Sequence, residues 1–106
     1  MKLGIIIYSS DAEAIWNAFR LANLALTEKD EVKIFLLAKG VEYERLSNEK
    51  FNILKLAQDF ISNNGKILAC GTCLKLRQKN GTELCPLSTL KDLYQLVKEC
   101  DKVLTF

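Results

Sequence analysis

Short apolar runs alternate with longer stretches of helical period, and this alternation constrains the fold more than any other feature of the chain. Leu3 to Tyr8 is a continuous apolar run, as expected of a strand buried on both faces of a parallel sheet. Ser9-Ser10-Asp11 then turns the chain, and Ser10 with Glu13 has the spacing of a capping box. Ile15, Ala18, Phe19, Ala22 and Leu26 form an apolar stripe at helical period. Trp16, Leu21 and Leu24 lie off that stripe and give the first helix a second apolar face. Val32 to Ala38 reads as the second strand, and the polar segment Lys39 to Asn48 as a loop. A second helix is expected from Glu49 to Ser62, with Ile53, Leu54, Ala57, Phe60 and Ile61 toward the core and Asn63-Asn64-Gly65 as its stop. Lys66 to Cys70 is the third strand, followed by a helical turn or two. Asn80-Gly81 marks a turn, Pro86 a break and Ser88 an N-cap for a last helix over Thr89 to Glu99. Val103 to Phe106 closes the series as a strand.

Strands separated by helices imply right-handed βαβ units, hence an α/β fold with a mostly parallel sheet of four to five strands covered on both faces. The 106 residues read as a single domain, residues 1–106, with no internal repeat. In such folds chemistry collects at the carboxyl ends of the strands. Three loops are expected there: Ser9 to Asp11, Lys39 to Glu42 and Cys70 to Cys73.

Charge and composition narrow the function classes. A net charge of +2, with lysines and arginines spread along the chain, gives no nucleic-acid footprint. No apolar stretch approaches the roughly 20 residues that span a bilayer, so no membrane partner is expected. The opening run has one positive charge and no small-residue cleavage site, and reads as a core strand rather than a leader. Four cysteines in such a chain point to a cytoplasmic protein whose thiols are reactive, metal-bound or buried. The chain has no histidine, which removes Ser/His and Cys/His pairs and histidine metal ligands. Glycine-rich phosphate signatures are missing too, and Ser9-Ser10-Asp11 fits helix capping better than anion binding.

Cys70-Gly71-Thr72-Cys73 carries the remaining chemical signal. A cysteine where a strand ends and a helix begins meets free backbone N–H groups and the positive end of a helix dipole. That setting favours thiolate, the form that attacks sulfur. Lys75 and Arg77 stand close enough in sequence to support the anion. Cys100 continues the row Leu90, Leu93, Val97 and is expected in the core. Cys85, before Pro86, is open to either a buried or a functional role. Zinc would need Cys70, Cys73, Cys85 and Cys100, yet the last two are not spaced as a knuckle, and no metal or cofactor is expected. A dithiol redox switch on Cys70 and Cys73 and a persulfide carrier remain, and so does an interaction module with tolerated thiols.

The run Cys70-Gly71-Thr72-Cys73-Leu74-Lys75-Leu76-Arg77, preceded by Asn64-Gly65-Lys66, resembles the DsrE/DsrF-like family. So does the ending Leu90-Lys91-Asp92-Leu93, Val97-Lys98-Glu99 and Asp101-Lys102-Val103-Leu104-Thr105-Phe106, and the resemblance spans essentially the whole chain. Gln78 follows Arg77 where many members carry glycine. The resemblance implies a three-layer α/β/α sandwich assembled as a homotrimer or hexamer. It further implies sulfur trafficking between donor and acceptor proteins, a sulfurtransferase-type role, with the cysteine just after the strand holding a persulfide. By position that cysteine is Cys70, and Cys73 matches the second cysteine of simpler members. Gly71, Thr72, Lys75, Arg77 and Cys85 are the supporting candidates.

Overall fold

In the computed structural model, which describes residues 1–106, the apolar runs pair into one parallel sheet of five strands. Strand β1 (Lys2–Ile7) leads into α1 (Ala12–Thr27), then β2 (Glu31–Leu36). A 3-10 turn (Ala38–Glu42), α2 (Tyr43–Leu46) and α3 (Ile53–Ser62) connect β2 to β3 (Lys66–Cys70). Helix α4 (Gly71–Leu76) follows directly, and β4 (Leu87–Ser88), α5 (Leu90–Glu99) and β5 (Lys102–Thr105) complete the chain. The strand order is β4-β3-β2-β1-β5, and every pairing is parallel.

This order explains the layers. Going from β1 to β2 to β3 the chain steps always the same way, so right-handed crossovers put α1 and α3 on one face. Helix α5 steps back past the whole sheet to β5, so the same handedness puts it on the other face. Leu3, Ile5, Ile7, Ile34, Leu36, Ile67 and Ala69 point toward α1 and α3 and form the main core with Ile15, Phe19, Ala57 and Phe60. Phe35 and Cys70 point the other way and pack with Leu96 of α5.

Several local expectations shift. Asp11, not Ser10, caps α1: its carboxylate accepts from the Glu13 N–H at 3.0 Å, because Ser9 Oγ already turns the chain by accepting from the Asp11 N–H. Helix α3 begins at Ile53, with Asn52 rather than Glu49 at its entrance. Asn64, not Gly65, takes the left-handed step after it, and Gly65 is required because a Cβ there would strike the Phe60 ring. The segment Lys39 to Asn48 is not a loop: it supplies the 3-10 turn and α2, and its Tyr43 is fully buried against Phe19. Ser88 belongs to β4, so Thr89 caps α5 in a capping box with Asp92. Of the row Leu90, Leu93 and Val97, Leu93 packs on the smaller cluster while Leu90 and Val97 face outward, and the buried residue of α5 is Leu96. Cys100 is half-buried at the end of α5, beside that smaller cluster rather than in the main core.

Candidate functional site

Strands β2 and β3 are neighbours in register, Leu36 opposite Ala69, so the turns leaving their carboxyl ends meet. The turn after β3 carries Cys70 to Cys73, and the turn after β2 carries Ala38 to Glu42. Cys70 is the last residue of β3 and the cap of α4: its Sγ accepts from the Cys73 N–H at 3.4 Å. Cys73, one turn on, lies beside it, and its own Sγ accepts from the Ala38 N–H at 3.2 Å. Cys70 is buried, with 6% of its surface exposed, whereas Cys73 is half-buried and rims the site. All four cysteines are free thiols.

The two sulfurs differ in surroundings. Burial and the neighbouring Cys70 sulfur push the Cys73 thiol up, while the Ala38 N–H and Arg77 pull it down. The net shift is upward, so Cys73 keeps its proton longer than a free cysteine would. Cys70 instead receives the Cys73 N–H directly, within its own turn.

The turn after β2 is pinned from both sides. Gly40 lies directly over the end of β1, where a Cβ would run into the Ile7 carbonyl oxygen, and the Leu37 N–H donates to that oxygen at 2.9 Å. On the far side the Arg77 guanidinium donates to Glu42 Oε2 at 3.0 Å and to the Cys73 carbonyl at 3.1 Å. That contact holds the Glu42 carboxyl below the usual range. Arg77 therefore acts chiefly as a strut between α4 and the 3-10 turn. Its charge reaches Cys73 only as the smallest of the influences on that thiol.

The other supporting candidates spread out. Gly71 opens α4 against β4, where a Cβ would come within 2.9 Å of the Ser88 carbonyl oxygen. Thr72 and Lys75 are exposed, and Lys75 forms no ion pair. Cys85 is buried in the main core with its Sγ 3.8 Å from the Val41 carbonyl, and burial pushes its thiol up to about 11. Cys100 sits by the Lys33–Glu99 ion pair, and burial raises its thiol as well. No cluster of three or more carboxylates, cysteines or histidines is arranged to hold a metal ion. The structure thus brings Cys70, Cys73 and Arg77 together and leaves Lys75 and Cys85 outside. It adds Ala38 and Glu42, which the sequence marked only as the end of a strand and part of an edge loop.

The sequence model of the DsrE/DsrF-like family matches residues 1–106. An uncharacterised protein of Methanocaldococcus jannaschii is 37% identical over 114 residues and is matched along the full length of both chains. An uncharacterised protein of Methanopyrus kandleri is 37% identical over 100 residues, covering 89% of this chain and 83% of that one. Among solved structures, the ychN protein from E. coli superposes with a TM-score of 0.83 at 24% identity over the whole of both chains. A conserved protein of unknown function from Bacteroides thetaiotaomicron superposes at 0.78 and 16% identity, covering 99% of this chain and 94% of that one. Both structures share the fold.

Proposed function

The chain belongs to the DsrE/DsrF-like family, and from that premise we propose that it carries sulfane sulfur as a cysteine persulfide on the Cys70–Cys73 pair. The family fold is one associated with sulfur relay. The observation that carries the reading is the placement of Cys70 Sγ at the end of β3, where it accepts the Cys73 N–H with the second thiol one turn away. Cys70 is the nucleophile in this scheme. Its thiolate attacks the outer sulfur of a donor persulfide, an S–S bond forms at Cys70, and the donor leaves as a thiolate. An acceptor thiolate that attacks the same outer sulfur takes it on and regenerates Cys70. Without an acceptor, Cys73 attacks Cys70 Sγ. The bond to the outer sulfur breaks, sulfide leaves with the proton, and a Cys70–Cys73 disulfide remains. The sulfane sulfur itself takes up the two electrons.

The donor and acceptor would be other thiol-bearing proteins in a reducing compartment such as the cytoplasm, and the working unit a homo-oligomer, a trimer or hexamer. Intact mass after treatment with inorganic polysulfide tests the chemistry. Wild type is expected to gain the mass of one sulfur, Cys70→Ser to gain none, and Cys73→Ser to gain it and hold it longer. No gain in wild type, or an undiminished gain in Cys70→Ser, would overturn the proposal.

A further inference from the structure

Four residues other than glycine adopt a left-handed backbone: Lys29, Ala38, Asn64 and Gln78. Three of them end helices, following the caps of α1, α3 and α4, where a left-handed residue is the ordinary way to close the last turn. Ala38, with φ 51°, ends no helix: it opens the 3-10 turn two residues after β2. Alanine gains no side-chain hydrogen bond to offset the steric cost of that conformation, and its own methyl group is exposed. The benefit lies in its backbone: the Ala38 N–H donates to Cys73 Sγ at 3.2 Å, 35 positions along the chain.

We propose that Ala38 is a positioning residue for the thiol pair, its left-handed backbone aiming an N–H that holds Cys73 Sγ beside Cys70. This rests on the persulfide reading of the same pair. A resolving thiol has to attack along the axis of the S–S bond that it breaks, so its sulfur must be held in place before the bond weakens. The Ala38 N–H also favours the anionic form of Cys73, against the burial that disfavours it. The segment cannot drift from this pose. Gly40 and Leu37 fix it to the Ile7 carbonyl, and Glu42 ties it to Arg77. A strained residue held from both sides in this way is what a preorganised site requires.

Two measurements test the proposal apart from the sulfur chemistry. If Cys73 holds the Ala38 N–H, hydrogen exchange at that amide should be about tenfold faster in Cys73→Ala than in wild type. Equal exchange in the two proteins overturns the inference. For the functional arm, Ala38→Val forces a β-branched residue into a conformation it avoids, while Ala38→Gly keeps both the N–H and the backbone. Sulfide release from polysulfide-loaded protein should fall about tenfold in Ala38→Val and match wild type in Ala38→Gly, with sulfur uptake equal in all three. Unchanged release in Ala38→Val, or equal loss in both variants, refutes the positioning role. If wild type takes up no sulfur, the persulfide reading fails, and with it the role assigned to the contact. The exchange result then still decides whether the contact exists.

Discussion

A buried thiol shows at single-residue scale how position overrides type. Cys85 has the same side chain as Cys70, yet its sulfur is buried in the main core with the Val41 carbonyl as its hydrogen-bond partner. Burial, helped by Glu44, pushes it from an ordinary 9.0 up to about 11, so it holds its proton across the physiological range. Two logarithmic units mean about a hundredfold less thiolate at pH 8 than in an unfolded chain. Peptide-resolved alkylation should therefore find Cys85 about a hundredfold slower in the folded protein than in urea. The same shift sets a direction for stability. Above pH 9 the unfolded chain releases this proton and the folded one does not, so this contribution is full below 9 and is lost as pH rises toward 11. Alkylation of Cys85 at the unfolded rate would contradict its burial. The sequence left this residue open because its neighbours, Val41 and Glu44, lie about 40 positions away. Tyr43 escaped for the same reason. Its segment is polar, and what buries it is Phe19 at 5.5 Å and the Leu84 carbonyl that accepts its hydroxyl proton.

At the scale of elements, β1, β2 and β3 were legible because both their faces are covered, and β5 was legible although most of it is exposed. β1, β2 and β3 are short apolar runs because α1 and α3 pack on one side and the cluster around Leu96 on the other. β4 was not legible, since two residues, one of them exposed, leave no pattern to read. Helix α5 was seen, but only Leu93 and Cys100 of its expected row pack toward the sheet, with Leu96 between them as the buried residue. It carries two apolar rows, and spacing alone cannot say which one meets the sheet. Gly4 settles it: a Cβ there would meet Leu96 and come within 3.1 Å of Cys100 Sγ, so the helix seats on the bare backbone of β1. Gly4→Val should lift α5 from the sheet at a cost of roughly 1–3 kcal/mol, the usual penalty of overpacking. Urea denaturation measures it. A variant as stable as wild type would mean that α5 can shift without loss.

The whole molecule is unevenly clad, and the handedness of its crossovers is the cause. A five-stranded sheet is about 24 Å across, whereas a helix with its side chains covers about 10 Å. Two helices fill the face of α1 and α3, but α5 alone serves the other. Leu37, Leu68, Leu93 and Val103 are therefore only partly covered around Phe35 and Cys70. The outward row of α5 extends this apolar surface, with Leu90, Tyr94 and Val97 exposed at 68%, 64% and 49%. The first helix keeps a smaller outer face: Leu21 and Leu24 are exposed as expected, whereas Trp16 packs on Phe51 within the chain. The proposed homo-oligomer would accordingly form over α5, not α1, each copy covering the thinly clad face of the next. Because Cys70 belongs to that face, assembly would also close over the persulfide and keep water from it. Light scattering at micromolar concentration should give an oligomer for wild type, and Tyr94→Glu should give a monomer with the same helical content. Wild type running as a monomer would sink the proposal, and an undisturbed oligomer in Tyr94→Glu would move the interface away from α5. If instead the variant dissociates and loses its sulfur faster than wild type, the bare face and the thiol pair work as one site.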